Sequence, residues 1–306
     1  MIEKIFAVVT RFANKHNLRN TAIGERLVPI YQRFQWFTMS RAPFVPGSVL
    51  AEAQRNSYLA ENAERIERVA ATLADEKSKN TYLGLTKYRQ TGLKKDFPAK
   101  YYSRKKYLVR ELRFGKDEVF IDCGAFNGNT IDDFIKHCGE YRAVIAFEPD
   151  LRNFQKLKKK YGENNPKITL INAGVYDKDG EVKFNTCGSD ESKIISDDGP
   201  ENCATAIKGE INSIQVKSID NLNLQDKVTF IKMDVEGAEL DALKGAKNTI
   251  LRDKPKLAIS IYHSNEDMIC IAEYIHKIMP EYKLYVQQHM LFPSCGETVL
   301  YATIPA

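Results

Sequence analysis

From about residue 117 the chain alternates short apolar runs with amphipathic helical stretches. That alternation restricts the fold to a mostly parallel sheet with helices on both faces. Strands are expected near 118–122, 143–148, 168–173, 228–234 and 256–262. They are continuous apolar runs, as strands buried on both faces require. The last two patterned runs differ. Tyr282 to His289 and Thr298 to Thr303 have no long helix between them and are expected to pair antiparallel at one sheet edge. The sum is an α/β fold with a Rossmann-like sheet of seven strands, closed by an antiparallel C-terminal pair.

The first strand runs into Asp122-Cys123-Gly124-Ala125-Phe126-Asn127-Gly128 and then a helix. A helix that starts after such a turn points free N–H groups at a ligand, and Gly124 has no Cβ to hold that ligand off the backbone. Dinucleotide folds use G-x-G-x-x-G here. This chain has D-x-G-A-x-x-G, with a carboxylate in place of the first glycine. A carboxylate repels a pyrophosphate and attracts an ammonium group, which S-adenosylmethionine carries, with a sulfonium and no phosphate. Glu148 ends the second strand and is suited to accept hydrogen bonds from both ribose hydroxyls. Pro149 stops that strand, and Asp150 is placed to cap the next helix. Asn172, after the third strand, is a candidate reader of the adenine edge and equally a turn former.

A third marker is Lys232-Met233-Asp234-Val235-Glu236-Gly237-Ala238-Glu239 at the end of the fourth run. Together the stretches DCGAFNG, FEPD and KMDVEGAE resemble the FkbM family of S-adenosylmethionine-dependent methyltransferases. The resemblance covers about residues 100 to 306. It implies a Rossmann-like fold and methylation of oxygens on sugars or related metabolites, with polysaccharide biosynthesis as one setting. It leaves the substrate open.

In an open α/β sheet, ligands lie beyond the carboxyl ends of the strands. Asp122, Gly124, Ala125, Asn127, Gly128, Glu148, Pro149, Asn172 and Asp234 are therefore the expected donor-binding residues. The fourth and fifth strands should face the acceptor with Asp234, Glu236, Tyr262 and His263. Methyl transfer to a hydroxyl needs in-line alignment and a base for the proton. His263 is the expected base because an unperturbed imidazole titrates near neutrality. Asp234 and Glu236 would orient it or hold a divalent ion such as magnesium. Tyr262 and His289 are expected against the acceptor. Glu239 suits either the site or the start of its helix.

Residues 1–95 carry helical patterning without a convincing strand, with helices expected at 2–17, 23–38, 48–78 and 80–91. This region is read as a cap over the cleft or a homodimer interface, ahead of a catalytic domain at 96–306. The polar stretch 185–212 interrupts the alternation and reads as a mobile wall of the site, flanked by a hairpin from 181–184 and 214–216. Lys94 to Lys116 is rich in basic residues and reads as a solvated face, with no recognisable nucleic-acid-binding motif. No apolar run approaches the ~20 residues of a membrane span. The six cysteines show no C-x-x-C spacing and read as free thiols of a cytoplasmic protein. The expected partner is a small molecule or glycan, without nucleic acid. Two other readings stand beside the methyltransferase: a nicotinamide-dependent oxidoreductase and a non-catalytic methyltransferase-like scaffold.

Overall fold

The computed structural model describes residues 57–162, 165–186, 193–195, 210–290 and 295–305. The helices expected at 2–17 and 23–38, and most of the stretch 185–212, lie outside the described residues.

Seven strands form the central sheet: β1 (Val119–Cys123), β2 (Ala143–Phe147), β3 (Ile168–Ile171), β8 (Phe230–Met233), β9 (Lys256–Ser260), β10 (Lys283–Gln288) and β11 (Thr298–Thr303). Their order is β10-β11-β9-β8-β1-β2-β3. The five strands from β9 to β3 run parallel, and β11 lies antiparallel between β10 and β9. The expected strand pattern and C-terminal pair are both present. A second sheet contains β4 (Gly174–Val175), β5 (Gly180–Thr186), β6 (Lys193–Ile195) and β7 (Glu210–Lys217), in the order β4-β7-β5-β6. The expected hairpin is its β5–β7 pair.

Strand alternation splits the core in two. Val119, Ile121 and Cys123 of β1 point to one side, with Ile231, Met233, Leu257 and Ile259. Phe120 points to the other, with Val144, Phe230, Ala258 and Tyr301. Phe120 and Phe230 stack there at 4.7 Å between ring centroids. Both faces are dry, which is why the strand sequences show no apolar–polar alternation.

Helices α1 (Tyr58–Glu61), α2 (Ala63–Thr72) and α3 (Glu76–Thr91) precede the sheet. The expected break near residue 79 falls instead at Leu73–Asp75. Leu73 makes a β-bridge to Leu284, and the Asp75 side chain accepts the Ser78 N–H to start α3. Gly92 ends α3 in a left-handed conformation. Leu59, Ile66, Val69, Tyr82 and Leu85 belong to the same core as Leu284 and Ile271, so these helices are part of the body that supports the sheet. Helices α4 (Asn129–Cys138), α5 (Leu151–Tyr161), α6 (Glu239–Lys244), α7 (Lys247–Asp253) and α8 (Asn265–Ile278) complete the layers. Asp150 caps α5 through the Asn153 N–H, as its position after Pro149 predicts.

No helix among the described residues is long and apolar enough to cross a membrane.

Candidate active site

A cavity of about 490 Å³ opens at the carboxyl ends of β1, β2, β8 and β9. It has two lobes. One is lined by the turn from Gly124 to Asn127, by Glu148 and Pro149, and by Ala173 to Val175. The other is lined by Lys106, Tyr107, Asp234, Glu236, Tyr262 and Glu297.

The first lobe is built from backbone. The N–H groups of Gly124 and Ala125 both reach the Phe147 carbonyl, at 3.1 and 2.9 Å, and tie the β1 turn to the end of β2. Gly124 has φ +83°, and a Cβ there would lie 2.1 Å from the Asp234 carbonyl oxygen. The glycine is needed because the β1 turn and the β8 end abut, which the expectation of ligand clearance missed. Gly128 starts α4 with φ +79°, and a Cβ would meet the Tyr161 hydroxyl at 2.5 Å. It packs against α5 and does not line the cavity. Glu148 is almost fully buried at the lobe's edge. One carboxylate oxygen accepts the Phe126 N–H at 2.7 Å and the other the Asp150 N–H at 3.0 Å. Burial nevertheless dominates and pushes its carboxyl up to about 7.

Two more expected donor-binding residues stand outside the lining. Asp122 is fully buried and outside the cavity lining. It faces Lys232 directly across the β1–β8 register, with the ammonium 3.0 Å from its carboxylate. The Lys232 ammonium also donates to the Gly124 and Cys123 carbonyls, at 2.6 and 3.2 Å. Asp122 thus holds the lysine that braces the turn, in place of the expected contact to a ligand ammonium. Burial raises the Asp122 carboxyl despite that lysine. Asn172 donates its amide to the Glu148 and Pro149 carbonyls, at 2.8 and 3.1 Å, and also lies outside the lining. It clamps the end of β2, and its neighbours Ala173 and Gly174 face the lobe.

The second lobe is built from charged and phenolic side chains. Asp234 is its centre. Tyr107 donates to Oδ2 at 2.6 Å and Tyr262 to Oδ1 at 3.0 Å, while the Lys106 ammonium lies 3.4 Å from Oδ2. Burial alone would raise the Asp234 carboxyl, but Lys106, Lys232, His263 and the Tyr107 hydroxyl outweigh it and hold the group well below the usual carboxylate range. Lys106 also pairs with Glu297.

His263 corrects the expectation of a neutral base. Its side chain is only 4% exposed and does not line the cavity. Nδ1 lies 3.0 Å from Glu239, and Nε2 lies 3.4 Å from Glu236 and 3.5 Å from Asp234. Burial pulls the imidazole down, but the three carboxylates prevail and hold it up to about 10. Glu239 is itself fixed by the Val235 and Gly237 N–H groups, at 2.8 and 3.0 Å. Among the described residues, Asp234, Glu236 and His263 present one ligand atom each within 4.8 Å of one another, a grouping able to hold a metal ion.

His289 is the second correction. It is buried and does not touch the cavity. Its Nδ1 lies 2.9 Å from the Ser103 carbonyl, and its Nε2 2.8 Å from the Tyr301 hydroxyl. Tyr301 in turn accepts the Tyr107 N–H at 2.9 Å. Nδ1 must carry the proton to satisfy the carbonyl, so Nε2 accepts from Tyr301. Burial pulls this imidazole down to about 4, consistent with a neutral ring. His289 therefore positions Tyr107, whose hydroxyl reaches Asp234.

Lys106, Tyr107, Lys232 and Glu297 were missed in sequence. Lys106 hid within the basic run, and Glu297 within a short connection. Lys232 did leave a signal: a charge in the middle of Phe230-Ile231-Lys232-Met233, where a core residue belongs. Tyr107, Phe126, Glu236 and Glu297 all have positive φ, between 49° and 64°, and all line this one cavity. Such conformations cost energy for residues other than glycine and gather at functional sites.

Support from α3 reaches the same place. Arg89 donates to the Tyr262 carbonyl and to the Asn265 side chain. The end of β9 is thus anchored by a residue ahead of the sheet.

A family profile described as the methyltransferase FkbM domain matches residues 122–292. The crystal structure of a methyltransferase FkbM from Methylobacillus flagellatus KT is similar, with a TM-score of 0.64 and 30% identity. The similarity covers 79% of this chain and 59% of that one. The hexuronic acid methyltransferase AglP of Haloferax volcanii is 25% identical over 135 residues, which is 44% of this chain and 52% of that protein. The chain thus spans only between half and two thirds of the length of these relatives. With the profile matching more than half of its residues, the chain belongs to the FkbM methyltransferase family.

Proposed function

We propose that the protein transfers a methyl group from S-adenosylmethionine to a hydroxyl of a sugar, in a surface polysaccharide or a glycosylated metabolite. One observation carries this reading: a single cavity is lined at one part by Glu148 and the Gly124 turn and at another by Asp234 and Glu236. Glu148 keeps lone pairs for two ribose hydroxyls. Gly124 and Ala125 line the cavity along the turn, where the methionine portion would lie. The carboxylates of Asp234, Glu236 and Glu297 in the second lobe would attract the positive sulfonium.

The chemistry is a displacement. A lone pair of the acceptor oxygen forms the C–O bond, the C–S bond breaks, and its electrons return to sulfur as a neutral thioether. The hydroxyl proton passes to Glu236, which faces the cavity. Asp234 stays ionised and is held in one orientation by the Tyr107 and Tyr262 hydroxyls, which fixes the geometry on which in-line transfer depends. His263 balances the carboxylates from behind. The sugar acceptor is supported by the relative from Haloferax volcanii, a hexuronic acid methyltransferase by name.

The test is transfer of labelled methyl from S-adenosylmethionine to a panel of glycosides. Incorporation at a ring hydroxyl, absent with Glu236→Gln, supports the reading. Titration with NAD and S-adenosylhomocysteine separates the alternatives. Binding of NAD without S-adenosylhomocysteine contradicts a methyl-donor site, and S-adenosylhomocysteine binding without transfer to any acceptor points to a scaffold.

A further inference from the structure

We propose that Asp234, Glu236 and His263 form a site for one hard divalent cation, magnesium or manganese, whose remaining positions take two neighbouring hydroxyls of the acceptor. The clause on the acceptor rests on the sugar methyltransferase reading. The cation site stands on geometry alone.

The Nε2 of His263 lies 3.4 Å from a Glu236 oxygen and 3.5 Å from Asp234 Oδ1, and the three atoms fall within 4.8 Å of one another. Adjacent ligands of an octahedral ion with bonds of about 2.1 Å stand about 3 Å apart, so small side-chain shifts complete the triad. An acidic cluster alone would not be sufficient. The second observation is the imidazole. It is buried to 4% exposure, and its Nε2 makes no hydrogen bond of acceptable geometry and is aimed between the two carboxylates.

The surroundings are those of a metal ligand set. Glu239 lies 3.0 Å from Nδ1, on the far side of the ring, where a carboxylate fixes a metal-binding histidine with its Nε2 lone pair toward the ion. Glu239 is in turn held by two backbone N–H groups. Asp234 receives the Tyr107 hydroxyl on Oδ2 and the Tyr262 hydroxyl on Oδ1, and Oδ1 keeps a lone pair facing His263 Nε2 at 3.5 Å. A Glu236 bound through one oxygen keeps the other for the hydroxyl proton. Oxygen and imidazole donors with open positions suit magnesium or manganese. A vicinal diol fits the vacant side of such an ion, since it supplies two oxygens at adjacent positions.

The experiment uses the full chain, stripped with chelator and titrated with Mn²⁺ while the signal of the free hexa-aqua ion is followed by electron paramagnetic resonance. The expected result is one bound ion per chain, displaced by Mg²⁺. Glu236→Gln and His263→Gln should abolish it, and Glu239→Gln should weaken it about 10–100-fold. If His263→Gln fails the circular-dichroism check for folding, Glu236→Gln, at a partly exposed side chain, decides. A folded wild-type chain that binds no Mn²⁺, or binding that survives in folded Glu236→Gln, overturns the proposal. S-adenosylhomocysteine binding, measured separately in metal-free buffer, shows whether the donor reading holds independently of the cation.

Discussion

The two lobes of the cavity are made by different means. The first uses backbone: a glycine turn, strand-end carbonyls and N–H groups, with Glu148 as the principal charged side chain. The second uses side chains from four distant places in the chain: Lys106 and Tyr107, Asp234 and Glu236, Tyr262, and Glu297. A backbone lobe depends on local sequence and survives large changes elsewhere. A side-chain lobe depends on tertiary placement and is where relatives of one fold differ in substrate. The comparison predicts that damage to the first lobe alters donor binding or folding, while damage to the second alters turnover.

The largest effect is expected where the lobes share a support. Lys232→Met would leave Asp122 buried without its cation and free the Gly124 and Cys123 carbonyls. Loss of one partner from a buried pair costs about 3–5 kcal/mol, read as a large drop in denaturant midpoint. Asp122→Asn with Lys232→Met should cost much less than the sum of the two single changes. Simple additivity would show that the pair is not coupled.

Next comes Glu148. Glu148→Ala should weaken S-adenosylhomocysteine binding by about 1.5–3 kcal/mol, more than tenfold. The pH dependence has a definite sign. The free carboxyl titrates at about 7, and ribose hydroxyls donate to its ionised form. Below that pH, binding must also expel a proton, so affinity should rise about tenfold from pH 6 to pH 8. Glu148→Gln should flatten the profile. In the free protein the sign is opposite: the raised pKa contributes stability at low pH that is lost as pH climbs through about 7.

The smallest effect should come from His289. His289→Phe leaves the Tyr301 hydroxyl without its acceptor and should cost about 1–3 kcal/mol of stability. Donor affinity should stay constant while turnover falls modestly through Tyr107. A collapse of acceptor binding with full stability would return His289 to the substrate.

The strand order and the antiparallel end were legible because burial on both faces writes itself as unbroken apolar runs, and Asp150 and Gly92 announced helix ends by residue type. The first lobe was legible for the same local reason, down to Glu148 after an apolar strand. The rest depends on register and approach. Nothing in sequence says that Asp122 lies opposite Lys232, or that the Gly124 turn touches the Asp234 carbonyl. His263 and His289 both end strands and look alike in sequence. One sits among three carboxylates and, with no ion bound, holds its proton; the other sits under Tyr301 and loses it. The basic run concealed Lys106, because one inward-facing lysine among solvated ones carries no mark.

The central claim is that donor and acceptor occupy separate lobes of one cavity. Calorimetric titration of S-adenosylhomocysteine into Glu148→Ala and Glu236→Gln tests it most directly. The account predicts a more than tenfold loss of affinity in Glu148→Ala and wild-type affinity in Glu236→Gln. Equal losses in both variants, or wild-type affinity in Glu148→Ala with the fold intact, would contradict it.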